Sequence, residues 1–271
     1  MKSKIYLIFV ISMLFIVCNN NEKTNTDNKN SYDKLLTAVS WYQHSAEMEA
    51  LYFQGFNIAR QRLDEAILAN KKGKPLAVVV DIDETMLNNG PFETTLINET
   101  DNLSGWYKWT DKASAKALPG ALEFAKYTES KNVKIFYITN RDDNERVSTL
   151  KNLANTGFPF AVEEHLLTKS DLSYSTGNTS SKAGRRAKVA ENHNIVLLIG
   201  DNLNDFSENF EDRSHNDGKD SVAKYSNRFG EKFIILPNPM YGAWEKPLFE
   251  YKDSLTNEEK TQLMKSKLIK E

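Results

Sequence analysis

The 271-residue chain carries a single cysteine, Cys18, which excludes an intramolecular disulfide framework. It also lacks an excess of basic charge: 35 Lys and Arg stand against 37 Asp and Glu, for a net charge of −2. Proteins that track a nucleic-acid backbone carry clustered basic charge. This balance therefore argues against polymeric DNA or RNA as a partner, while leaving a nucleotide open as a small ligand. The four histidines, His44, His165, His193 and His215, show no metal-ligand spacing and read as surface or structural groups. Long hydrophobic runs are missing too. The run from Ile5 to Val17 is broken by Ser12 and is too short to span a bilayer comfortably.

That run is still informative. Lys2 and Lys4 precede it and Cys18 follows it, so residues 1–18 read as a secretory signal ending in a bacterial lipobox, with Cys18 lipidated. Phe15-Ile16-Val17 is a loose box, since a small residue usually precedes the cysteine; a cysteine lying near a cleavage site by chance is the alternative. Residues 19–31 are polar and of low complexity, the composition of a flexible tether. An anchor on a leash implies the cell envelope, with the outer membrane as the expected holder and the folded part outside the cytoplasm. Residues 32–271 are the expected folded domain.

Between residues 32 and 70, Leu35, Leu36, Val39 and Tyr42, then Leu51, Tyr52, Phe56, Ala59, Leu63 and Ile67, recur at helical spacing and predict one or two amphipathic helices. From Pro75 the texture changes. Residues 76–82, 133–139, 195–200 and 232–237 are short apolar runs, alternating with helical patterns over 118–130, 142–155 and 180–192. Strands this uniformly apolar are buried on both faces, the mark of a parallel sheet covered by helices. The expectation is an α/β doubly wound fold. The stretch of about residues 88–117 is too long for an ordinary connection and predicts a small cap.

In such sheets ligands bind outside the carboxyl ends of the strands, and here those ends are chemically loaded. They carry Asp81-Ile82-Asp83-Glu84-Thr85, Thr139-Asn140-Arg141 and Gly200-Asp201-Asn202-Leu203-Asn204-Asp205, with Ser180-Ser181-Lys182 opening a helix. Clustered carboxylates suit Mg²⁺, a hard cation that takes oxygen ligands. A hydroxyl, an ammonium and helix N-termini neutralise phosphate oxygens. An aspartate so placed can act as a nucleophile in phosphoryl transfer. Each element has a plainer reading: Asp83 and Glu84 as helix caps, Lys182 as a solvated lysine, Asp201-Asn202 as a turn.

D-x-D-x-T after an apolar strand, then a strand ending in Thr, a lysine and G-D-N-x-x-D, resembles the haloacid dehalogenase (HAD) superfamily of phosphohydrolases. VVVDIDETMLNN, PGALEFAKY, IFYITNR, SSKAGRR, LLIGDNLNDF and LPNPMYGAWE resemble the class C acid phosphatases, bacterial lipoprotein phosphatases and 5′-nucleotidases. The similarity runs from about residue 35 to Trp244; a polar insert around 170–181 departs from it. The resemblance implies a HAD-like fold and Mg²⁺. It casts Asp81 as nucleophile and metal ligand, and Asp83 as proton shuttle with its carbonyl on the metal. Thr139, Asn140 and Lys182 would bind the phosphoryl group, with Lys169 a rival for the lysine. Asp201 and Asp205 would complete the metal site. Tyr241, Trp106 and Phe92, with Trp109 a further candidate, would stack on a nucleobase. A homodimer is also implied.

The leading expectation is a Mg²⁺-dependent acid phosphatase acting on nucleoside 5′-monophosphates through an aspartyl phosphate. The alternatives are a HAD phosphatase for sugar phosphates or phosphoproteins, and a non-catalytic surface lipoprotein that binds a ligand or partner on the same scaffold.

Overall fold

A computed structural model describes residues 32–70, 73–97, 103–171, 180–252 and 254–269. The signal segment, Cys18, the tether and residues 172–179 of the polar insert lie outside these residues.

The chain opens with α1 (Tyr32–His44) and α2 (Ala46–Ala69). Ser45 separates them, its hydroxyl accepting the Met48 N–H at 3.1 Å and so capping α2. Then come β1 (Leu76–Val80), β2 (Leu87–Asn88), α3 (Gly90–Leu96), α4 (Leu103–Asp111), β3 (Lys116–Ala117) and α5 (Ala121–Ser130). Next are β4 (Lys134–Ile138), α6 (Arg146–Thr156), β5 (Leu166–Leu167), α7 (Ala183–Asn192) and β6 (Asn194–Gly200). The last elements are α8 (Lys219–Lys224), β7 (Phe233–Ile235) and α9 (Asn257–Lys267). None of the described helices is long and apolar enough to cross a membrane.

Five strands form one parallel sheet in the order β5-β4-β1-β6-β7, with β1 at its centre. Central position explains why all five residues of β1 are buried. Successive side chains point to opposite faces. Val78 and Val80 join the cluster of Tyr52, Phe56, Leu63 and Phe124 from α2 and α5, whereas Ala77 and Val79 join that of Val189, Phe206 and Phe210. Helices therefore cover both faces, as the apolar runs predicted. Burying each such aliphatic side chain contributes about 1.5–3 kcal/mol.

The observed elements begin and end within a few residues of the predicted ones, with β6 starting one residue earlier at Asn194 and α6 ending one residue later at Thr156. The helix expected over 118–130 starts at Ala121, because Gly120 takes a left-handed φ of 77°. The one expected over 142–155 divides into a tight turn, Asp143–Glu145, and α6. The sequence patterns do not predict the edge strand β5, the antiparallel hairpin β2–β3, each strand two residues long, or the helices α8 and α9. The hairpin pairs Leu87 with Ala117 and Asn88 with Lys116, joining the two ends of the segment that carries α3 and α4.

Candidate active site

Parallel strands deliver their carboxyl ends to one edge of the sheet, and the loaded segments meet there. Asp81 follows β1, its N–H donating to the Ile199 carbonyl at 2.9 Å, so the ladder with β6 holds its backbone. Lys182, immediately before α7, inserts its ammonium between Asp81 and Asp205, with Nζ bonded to Asp81 Oδ1 and 2.6 Å from Asp205 Oδ1. All three side chains are buried. Lys169, the rival, instead lies 3.8 Å from Asp142 and outside this group. Gly200 makes the approach of Asp205 possible, since a Cβ there would sit 2.2 Å from its Oδ2.

Asp81, Asp201 and Asp205 can each turn one oxygen to a common point, the three atoms lying within 4.8 Å of one another. Asp201 is held by Asn238 Nδ2 at 2.9 Å and by the Thr85 hydroxyl at 3.4 Å. Burial, then the charges of Asp81 and Asp205, push the Asp201 carboxyl well above its usual range. Burial also raises Asp81, to about 7, although Lys182 opposes the rise. When all three carboxyls are ionised, the one ammonium leaves two negative charges unbalanced. An all-oxygen set with that deficit fits a hard divalent cation.

Asp83 sits in a different environment. Arg141 donates to it through Nη2 at 2.7 Å and Nε at 3.1 Å, Asn89 Nδ2 at 2.8 Å and the Thr139 hydroxyl at 3.3 Å. Burial alone would raise this carboxyl, but the Arg141 charge and the hydrogen bonds from Arg141 and Asn89 hold it below the ordinary range. Two acids two positions apart thus have opposite electrostatics.

Asn140 is exposed at the cleft, where Arg185 Nη2 donates to its Oδ1 at 2.6 Å, leaving its amide NH₂ available to an oxyanion. Arg185 is fully buried and also bonds the Thr139 carbonyl. Asp81, Asp83, Asn140, Lys182, Asp201 and Asp205 line a cleft of about 450 Å³ whose walls include Trp106, Tyr241 and Lys246. Phe92 is buried behind, meeting the Trp106 ring edge-on at 5.1 Å, and is not part of the wall. Trp109 donates its indole N–H to Asn89 Oδ1 at 2.8 Å. A larger depression of about 720 Å³, where α1 meets α2 beside Asn88 and Lys116, contains none of the strand-end groups. The chemistry assigns the site to the smaller cleft.

Four participants had no assigned role in the sequence reading: Arg141, Asn89, Arg185 and Glu84. Glu84 is fully buried with a φ of 54°, accepts the Asn89 N–H at 2.7 Å and is hydrogen-bonded to the Tyr241 hydroxyl. Burial, then the charge of Asp83, raises it to about 8. All four lie inside the quoted motifs, Glu84 and Asn89 in VVVDIDETMLNN, Arg141 in IFYITNR and Arg185 in SSKAGRR, a usable signal of their place though not of their partners.

Residues 10–244 match the family model described as HAD superfamily, subfamily IIIB (Acid phosphatase). A solved structure of the class C acid phosphatase from Bacillus anthracis is 41% identical with a TM-score of 0.81, over 89% of this chain and 98% of that one. A second structure of that protein, with tungstate bound, is 40% identical with a TM-score of 0.80, over 88% and 98%. Acid phosphatase 1 of Solanum lycopersicum is 27% identical over 60% of this chain, and the Stem 28 kDa glycoprotein of Glycine max 30% identical over 47%. The matched stretches span 57% and 51% of those curated relatives. The chain belongs to the acid phosphatases of HAD subfamily IIIB.

Proposed function

We propose that the chain is a Mg²⁺-dependent acid phosphatase that hydrolyses phosphate monoesters, nucleoside 5′-monophosphates above all, through an aspartyl phosphate on Asp81. The observation that carries this reading is Asp81 itself, buried against Lys182 beside two further carboxylates and facing the cleft. The relative solved with tungstate, a tetrahedral oxyanion like phosphate, supports a phosphoryl site of this kind.

Asp81, Asp201 and Asp205 would hold Mg²⁺, with the Asp83 carbonyl as a further ligand; when bound, the cation neutralises phosphoryl charge. The rest of the work belongs to the chain. Lys182 and the Asn140 amide bind the phosphoryl oxygens, and Thr139 orients Asp83. Asp81 attacks phosphorus as the bond to the ester oxygen breaks, and Asp83, in the fraction that acid pH protonates against the pull of Arg141, gives that oxygen its proton. Water then attacks the aspartyl phosphate and loses a proton to Asp83, releasing phosphate and restoring both acids. Trp106 and Tyr241 offer aromatic faces in the cleft wall for a nucleobase.

Turnover of nucleoside monophosphates and sugar phosphates by the purified full-length chain, with and without chelator, tests the proposal. Nucleotides should win, chelator should stop the reaction, and Tyr241→Ala should erase the preference. If Asp81→Asn or Asp83→Asn kept near-parental Mg²⁺-dependent turnover, the mechanism would be wrong. We also propose that lipidated Cys18 anchors the enzyme in the cell envelope. Palmitate labelling lost in Cys18→Ser supports this, and labelling retained there would refute it.

A further inference from the structure

We infer that the cap helix α4 positions the acid Asp83, through two separate relays that start from its tryptophans. This rests on the role of Asp83 proposed above. Trp106 and Trp109 lie three residues apart, on one face of the helix. The Arg141 guanidinium lies over the Trp106 ring, 5.5 Å from its centre, and grips Asp83 Oδ1 at 2.7 Å. The Trp109 indole donates to Asn89 Oδ1 at 2.8 Å, and Asn89 Nδ2 donates to the same Asp83 oxygen at 2.8 Å.

Neighbouring contacts restrict each relay to one geometry. Tyr107, between the two tryptophans, bonds Asp142 at 2.7 Å and so ties the residue after Arg141 to α4. Arg141 Nη1 donates to Thr149 Oγ1 at 3.0 Å, which fixes the plane of the guanidinium. The Trp109 hydrogen bond fixes the Asn89 amide, because with Oδ1 occupied as an acceptor only its NH₂ can face Asp83. Losing the indole N–H leaves that amide with only the 3.4 Å contact of its NH₂ to Glu84 Oε2 to keep it from turning its oxygen towards Asp83. The cap is thus more than a wall over the substrate. It aims the proton donor from a segment that the hairpin β2–β3 joins to the sheet domain.

This arrangement makes a prediction that simple cap stability does not. An alkoxide leaving group needs the proton of Asp83, whereas p-nitrophenolate departs without one. The value of kcat/KM reports events up to departure of the leaving group, so the ratio of p-nitrophenyl phosphate to glycerol 2-phosphate isolates the acid step. In the full-length chain, Trp109→Phe and Arg141→Lys should each raise that ratio about tenfold, a fraction of what general acid catalysis supplies. An unfolded fraction lowers both substrates equally and leaves the ratio untouched. Asp83→Asn serves as the reference. If it raises the ratio and the other two variants do not, the inference fails while the proposed function stands. If Asp83→Asn leaves the ratio unchanged, the acid role itself fails and the inference with it.

Discussion

Replacing Asp201 by Asn should make the metal-free protein more stable. Its oxygen lies within 4.8 Å of those of Asp81 and Asp205, and at an effective dielectric of about 20 each such repulsion reaches about 3.5 kcal/mol. Lys182 offsets part of this, and Asp201 can escape the rest by taking up a proton. With an ordinary value of 3.8, keeping that proton at pH 7 costs at most about 4 kcal/mol. Asn removes the charge and can keep both hydrogen bonds, accepting from Asn238 and donating to Thr85. The expected gain is about 1–4 kcal/mol, a rise in Tm of about 3–15 °C for a domain of this size. The pH dependence has a definite sign. Below 3.8 both states carry the proton and the charge costs nothing. As pH rises the unfolded chain loses the proton and the folded state keeps it, so parental stability falls. The advantage of Asn should therefore grow as pH rises above 4. Thermal melts in chelator, then with added Mg²⁺, provide the assay. Mg²⁺ should raise the parental Tm and barely move the variant. A variant that melts below its parent in chelator at pH 7 would refute the reasoning, because hydrogen bonding would then outweigh repulsion.

Leu63, fully buried where α2 packs on the sheet, should cost about 2–5 kcal/mol when cut to Ala, read from the denaturant midpoint; a loss under about 1 kcal/mol would mean that this face closes over the gap. His165 stacks on Phe136 at 4.5 Å and Phe160 at 4.9 Å, its Nδ1 bonded to the Ile135 carbonyl at 2.6 Å. Burial lowers its pKa, with Lys134 and His193 adding to the effect against the Ile135 carbonyl and Glu164. Its contribution is therefore full above the ordinary 6.5 and lost as pH falls below it. His165→Gln keeps a donor and should flatten the fall in Tm across that range; an unchanged slope would place the titration elsewhere.

The parallel sheet and the carboxylate-loaded strand ends were legible because each is written locally. Five consecutive apolar residues before Asp81, rich in valine and following Pro75, suit a strand buried on both faces, and Asp81 and Asp83 follow it directly. The preference for Lys182 over Lys169 rests on its motif and on the start of α7; in the structure Lys182 lies against Asp81 and Lys169 near Asp142. The strands β2, β3 and β5 were not legible. Two residues carry no periodicity, and only their partners make them strands.

Arg141 shows the same divide within the site. Its place after Thr139 was visible, yet its grip on Asp83 joins residues 58 positions apart, and Asn89 reaches the same oxygen from the cap side. The sequence by itself determined which chemical groups would gather at one edge of the sheet, since strand direction and motif order are local properties of the chain. Only the tertiary structure decided how they differ once gathered. Burial raises Asp81 while Arg141 lowers Asp83, because charge and desolvation depend on neighbours in space rather than along the chain.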